Sequence, residues 1–259
     1  MRSEMELQSS FLPPYVSTRS IVRYLTILLL FTAGLSSVSA GFEIAEIRLL
    51  AGIRNSESLS EPTRWAYSMT RNTLLISRVI LVAMIAMTFI AWLHRARVNA
   101  RSFGCRRFRF ARHWTVIGFA IPIANLFRPL QVVSEVWQAS DPRAIQTSVE
   151  WKSVPVPRLL PAWWGVLLAS ATLELVGAAL LISAGVTVER LSAARGIAAA
   201  AHLTSVAAAV LAYLVVSGIG RAQEAKWATL HSAGLTPGVV YMADEPALPQ
   251  REAIAANSV

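Results

Sequence analysis

The chain has 259 residues, 54% hydrophobic and 15% charged, with a formal net charge of +9 and a mean hydropathy of +0.49. Soluble domains carry about 25% charged residues, and here the deficit is concentrated in a few long uncharged blocks, which excludes an ordinary soluble fold. The blocks also lack the alternation of barrel strands, so the fold class is all-α: a polytopic membrane helix bundle with about four transmembrane helices and one re-entrant or interfacial amphipathic segment.

Residues 1–20 form a polar tail broken by Pro13-Pro14 and expected to be disordered. The membrane domain covers 21–220, and its first span is about 21–42, entered past Arg19 and Arg23. Val38-Ser39-Ala40 has the form of a signal-peptidase site. The uncharged stretch is nevertheless long enough to span, and the tail before it is longer than an ordinary leader's basic region. An uncleaved helix is expected, with cleavage the open alternative.

Residues 43–71 mix four arginines with four glutamates and read as an outer loop. The second span is about 72–93, with Arg78 in its first third, near enough to the boundary to snorkel. The loop 94–158 carries 11 lysines and arginines against three acids. The third span, about 159–188, contains one charge, Glu174. A short link at 189–195 leads to an uncharged, alanine-rich fourth span at about 196–220, followed by a polar tail at 221–259.

Positive residues near span ends are retained in the cytoplasm. The arginine-rich loop and both termini are therefore expected inside, in a bacterial inner (cytoplasmic) membrane. Trp92, Trp163 and Trp164 fall at the inner ends of spans two and three, where aromatic belts form.

Within the loop, residues 114–127 read WTVIGFAIPIANLF, 14 uncharged residues interrupted by Pro122. At 1.5 Å per residue they reach about 21 Å, short for a span. Arg128-Pro129 then opens LQVVSEVWQAS, in which Leu130, Val133 and Trp137 share one face and Gln131, Ser134, Glu135 and Gln138 the other. This predicts a re-entrant or interfacial arm leading into an amphipathic surface helix that ends at Ser140-Asp141-Pro142. A kinked fifth span, which moves the C-terminus outside, is the alternative.

The order FIAWLHRARVNA (89–100), HWTVIGFAIPIANLFRPLQVVSEVWQAS (113–140) and the Trp163-Trp164 pair resembles the bacterial membrane-protein family catalogued as domain of unknown function 4328. The likeness runs from about Phe89 to Gln223. It is most specific around Pro122, Asn125, Arg128, Pro129, Glu135, Trp137 and Ser140, and is not evident in the tails or the outer loop. The resemblance implies a multi-span helical bundle in an inner membrane, and no activity or catalytic residue.

Three groups of residues are candidates for function. Arg95 and Asn99 lie four residues apart, on one side of an extension of helix two. With Asn125, Arg128 and Glu135 they sketch a polar pocket at the inner interface, in which Arg128 receives an anionic group such as a lipid phosphate. The alternative is structural, with Arg128 pairing with Glu135 or capping the arm. Arg101, Arg106, Arg107, Arg109 and Arg112, interleaved with Phe103, Phe108 and Phe110, suit an anionic membrane surface or a protein partner better than nucleic acid, because the loop cannot leave the lipid surface. Beyond binding, their plain reading is topogenic charge.

Glu174 lies in the hydrocarbon, where a carboxylate costs a few kcal/mol unless neutralised or partnered. It is read as an interhelical hydrogen-bonding group or as a proton or ion site, and His202 as a poor partner for it because of a vertical offset. Ser170, Gly177 and Ala178 on its face allow close helix approach, which leaves a homo-oligomer open.

The single cysteine, Cys105, and four scattered histidines supply no disulfide and no metal spacing. No phosphate loop, zinc-protease helix or nucleophile elbow occurs. The expectation is a non-enzymatic membrane protein without cofactor, metal or nucleic-acid partner, whose basic inner face meets anionic lipid or a protein. A small proton- or ion-coupled transporter or channel using Glu174 is the alternative.

Overall fold

Four apolar blocks become four long helices in the computed structural model, which describes residues 13–54, 60–105, 108–109, 127–143, 150–182 and 187–233. They are α1 (Arg19–Arg54), α2 (Glu61–Ser102), α4 (Leu159–Ile182) and α5 (Val188–Ser232), with the short α3 (Arg128–Ser140) and a 3-10 turn (Glu150–Ser153) between α2 and α4. No strand occurs among the described residues. All four long helices are apolar and long enough to cross a membrane, so this is a multi-pass helical membrane protein.

Local chemistry sets the helix ends. The Ser60 hydroxyl caps α2 by accepting the Thr63 N–H at 3.4 Å, with Pro62 in the first turn, where its missing donor costs nothing. Thr187 caps α5 in the same way, accepting the Arg190 N–H at 3.3 Å. Gly104, at φ +82°, takes the left-handed conformation that ends α2 and turns the Cys105 N–H back to the Ala100 carbonyl at 3.2 Å.

α5 is the hub. α1 packs along one side of it and α4 along the other, while α2 packs on α1. No Cα of α2 comes within 8 Å of one of α4. In lipid, helices associate through close packing rather than hydrophobic force, and α5 buries Ala194, Ala199, Ala201, Ala208, Ala209 and Ala212 to allow it. On α4, Gly177 lies against the Ala194 carbonyl, and the Ser170 hydroxyl donates to the Ala201 carbonyl at 3.1 Å.

The helices outrun the bilayer. With 36, 42 and 45 residues, α1, α2 and α5 reach about 54, 63 and 67 Å against about 30 Å of hydrocarbon. The segment read as an outer loop at 43–71 is therefore mostly helical, with α1 running to Arg54 and α2 starting at Glu61. Likewise α4 ends at Ile182, Val188 already belongs to α5, and α5 continues through Ser232 into what read as tail.

The N-terminal tail is ordered where it is described. Tyr15 stacks between Phe103 and Trp227, with ring centroids at 5.4 and 5.7 Å. The helix predicted after Arg128-Pro129 is present, but it is not a surface helix. It buries Val132, Val133, Val136 and Ala139 between α2, α4 and α5, a face rotated from the predicted Leu130–Val133–Trp137 stripe.

Because α3 covers them, the three tryptophans read as a membrane belt are core residues. Trp92 is fully buried and Trp163 and Trp164 nearly so, with Phe89–Trp163 centroids 5.8 Å apart. The predicted arm at 114–126 and its Asn125 lie outside the described residues. Its described flanks do not: the Arg109 N–H reaches Glu135 of α3 at 2.9 Å. The alternative of a kinked fifth span falls on the same residues 114–126 and likewise lies outside the described ones.

Candidate functional site

At the α3 end, beyond the aromatic core, polar side chains are sealed inside the bundle. Asn99 of α2 and Gln223 of α5 are fully buried. The Asn99 amide clamps the backbone of Val16, accepting its N–H at 3.2 Å and donating to its carbonyl at 2.8 Å. It also donates to Gln223 Oε1 at 3.2 Å, while Gln223 Nε2 donates to the Ala96 carbonyl at 2.7 Å and to Ser140 Oγ at 3.0 Å. One network thereby ties the N-terminal segment, α2, α3 and α5 together.

One turn further along α5, the fully buried Lys226 donates to the Ala139 carbonyl at 3.0 Å, with its Nζ 4.0 Å from Cys105 Sγ. Burial pulls the Lys226 ammonium below the usual lysine range, and Cys105 and Asp141 only partly offset this. Burial likewise pushes the Cys105 thiol up, against the pull of Lys226. A protonated, buried thiol is a poor nucleophile, so Cys105 serves packing.

The five residues proposed to share one pocket are divided. Asn99 belongs to the buried network. Glu135, raised chiefly by burial, faces Arg97, Lys152 and Arg109 and takes its hydrogen bond from the Arg109 N–H rather than from Arg128. Asn125 lies outside the described residues, as do Arg106 and Arg107 of the basic run. Arg109 is exposed, while Arg95 and Arg128 are half-buried.

Arg95 belongs to a larger arrangement. Arg23 of α1, Arg95 of α2, Arg158 before α4 and Arg221 of α5 fall near one level, since Gly220 faces Val22, Gln223 reaches the Ala96 carbonyl and Phe89 packs on Trp163. Each of the four long helices thus carries an arginine, within it or just before it, near this level, and Arg128 opens α3. Arg23, Arg158 and Arg221 are exposed. Arg19, also at this level, is held by Glu224 at 2.6 Å.

A second polar site lies within the membrane-spanning region. Arg78 of α2 bridges the gap to the other helices, donating to Glu174 of α4 and, at 2.7 Å, to Nδ1 of His202 on α5. Arginine only donates, so Nδ1 is the acceptor and the ring is neutral, with its proton on Nε2. Arg78 thus points into the bundle instead of snorkelling. Glu174 has a charged partner rather than standing alone, and His202 joins it through Arg78. The expected vertical offset vanishes because α4 ends at Ile182. Glu174 then lies about 12 Å from its helix end, and Arg78 and His202 about 9 Å inside the span boundaries predicted for theirs.

Two turns nearer that end sits a second charged layer. Arg195 reaches Glu43 at 3.4 Å and Glu46 at 3.1 Å, and Arg71 donates to Glu46. Arg71 and Arg78, like Arg195 and His202, are seven residues apart, which places each pair on one helix face. On α1 the buried Ser36 and Glu43 repeat the spacing. That interval was the signal in the sequence for these residues. Gln223 and Lys226 gave none, since polar residues past a span read as solvated tail.

No group of histidine, cysteine, aspartate and glutamate among the described residues is arranged to hold a metal ion. No curated protein and no solved structure matches the chain. A family model matches residues 56–221, starting well upstream of the Phe89 where the likeness in sequence begins, and the chain belongs to the family it defines, a domain of unknown function (DUF4328).

Proposed function

We propose that this is a non-enzymatic protein of a bacterial inner membrane whose α3 end faces the cytoplasm and binds anionic lipid headgroups. The observation that carries the reading is the collar formed by Arg23, Arg95, Arg158 and Arg221 near one level of the four long helices. Arginine at a membrane surface is worth about 1 kcal/mol per residue toward anionic lipid, and its fork matches phosphate geometry. The buried polar residues of this end are occupied in holding backbone: Asn99 on Val16, Gln223 on Ala96 and Lys226 on Ala139. Their role is to fix the collar rather than to perform chemistry.

The test uses the full chain in nanodiscs of mixed phosphatidylglycerol and phosphatidylcholine, with the lipid around the protein quantified by mass spectrometry. Phosphatidylglycerol is enriched around the wild type. The enrichment falls with salt, because screening shortens the Debye length to about 8 Å at physiological ionic strength. It falls further when Arg95, Arg158 and Arg221 become glutamine. Equal enrichment in wild type and triple variant rejects the proposal.

A second reading, ion or proton transport through Glu174, draws on the two stacked polar layers around Arg78 and Arg195. Against it, each charge there is already paired, and the α3 end of the bundle is closed by Phe89, Trp92 and Trp163.

A further inference from the structure

Between α1 and α2 runs an apolar groove of about 580 Å³, lined by Ile27, Leu30, Phe31, Gly34, Ser77 and Leu81. Its walls are open to the surroundings: Leu30 and Phe31 are 67% and 65% exposed. All of these residues lie within the two spans, so the groove opens into hydrocarbon and its polarity suits an acyl chain. At 100° per residue, Arg23, Ile27, Leu30 and Gly34 follow one line along α1. The exposed Arg23 therefore stands at the collar end of the groove. From Arg23 to Gly34 is about 16 Å, close to half of the roughly 30 Å hydrocarbon thickness, or one leaflet.

We propose that this groove is a binding site for one anionic phospholipid of the leaflet at the collar, with its phosphate on Arg23 and an acyl chain along α1 as far as Gly34. The inference rests on the collar reading, since Arg23 is one of its arginines, and it adds a defined site to a diffuse preference. Charge complementarity and length select this occupant. A cation sits at one end only, and the apolar track ends where a single leaflet ends.

Gly34 supplies the test, because a Cβ added there meets no protein atom within 4 Å. Gly34→Phe therefore fills the groove without disturbing helix packing, and Ser77→Leu blocks it from the opposite wall. Full-length protein is taken from phosphatidylglycerol–phosphatidylcholine nanodiscs into mild detergent, washed, and weighed intact by native mass spectrometry. The wild type retains one phosphatidylglycerol per chain. Both blocking variants lose it while keeping the wild-type unfolding midpoint. Arg23→Gln retains a lipid but with its phosphatidylglycerol preference cut about fivefold, the factor expected for one arginine.

Retention in Gly34→Phe and Ser77→Leu equal to wild type overturns the site. So does a lipid in the groove of the wild type with no preference for phosphatidylglycerol. A dimer that Gly34→Phe converts to monomer would show a second copy in the groove and would also reject the proposal. The single retained lipid and the enrichment of the surrounding lipid are separate readouts. Loss of one without the other assigns the failure to the groove or to the collar.

Discussion

Replacing Gln223 by leucine tests whether the buried network at the α3 end is a structural clamp. Leucine preserves most of the volume but removes three hydrogen bonds, to Asn99, Ala96 and Ser140. Each is worth about 1 kcal/mol net. The Ala96 carbonyl remains in its helix and the Ser140 hydroxyl still donates to the Val136 carbonyl at 2.6 Å, so one Asn99 N–H is the only group left without a partner. The expected cost is about 3 kcal/mol.

Asn99→Leu costs more, about 4 kcal/mol, because it also removes both part-buried hydrogen bonds to the backbone of Val16. The double variant loses the shared bond only once and the stranded Asn99 donor disappears, so it is more stable than the sum of the singles by about 1 to 2 kcal/mol. Reversible unfolding in mild detergent measures all four corners of the cycle. Additivity within about 0.3 kcal/mol, or a Gln223→Leu variant as stable as the wild type, refutes the clamp.

Lys226 makes stability depend on pH. Its folded proton affinity lies below the ordinary lysine value of 10.5, so in the window ending there the unfolded chain binds more protons and stability rises with pH, by at most about 1.4 kcal/mol per unit. Cys105, raised above its usual 9.0, opposes this above that pH, where the folded chain binds the extra proton. Lys226→Met should abolish the rising limb in unfolding midpoints taken at pH values up to 10.5, and an unchanged slope assigns it elsewhere. Glu174→Gln leaves the Arg78 guanidinium without its anion and should cost about 3 kcal/mol, while Arg78→Leu with Glu174→Leu recovers most of it. Ion flux in proteoliposomes that is present in wild type and lost in Glu174→Gln would instead favour the transport reading.

Much of the fold was legible because lipid imposes a simple rule: backbone groups must be satisfied within each helix, so long apolar blocks are helices. α3 was equally legible from Arg128-Pro129, its amphipathic run and the Ser140-Asp141-Pro142 stop. Its buried face was misjudged because Ala139 and Val136 pack against neighbours as well as Leu130 and Trp137 do, and periodicity weights size over fit. The tryptophans misled for a related reason. An aromatic near a span end serves a membrane belt or a core with equal sequence logic, and only the return of α3 over Trp92 and Trp163 decides between them.

The charged segment at 43–71 read as loop because charge was equated with solvent. Glu43 and Glu46 instead share a face at helical spacing, and their partner Arg195 is 152 residues away. That separation is what single-sequence reading cannot bridge. The same holds for Asn99, whose partners Val16 and Gln223 lie at opposite ends of the chain. The candidate pocket was drawn by proximity along the chain, whereas the network that takes up Asn99 recruits by proximity in space.

The distribution of charge between the two ends separates structural from interacting roles. At the end of the α1–α2 turn, Arg71 and Arg195 are met by Glu43 and Glu46 inside the bundle. Such buried pairs gain little net energy, but they penalise any register that would separate them. At the α3 end the balance differs. Arg19 is answered by Glu224 and Asp141 by Arg143, while Arg23, Arg158 and Arg221 stand exposed near one level. Cations paired within the protein are spent on its own fold, and cations ranked along a membrane surface are available to whatever anion that surface offers. On the proposed reading the collar, and not the intramembrane Arg78–Glu174 pair, is therefore where an anionic ligand gains the most from binding.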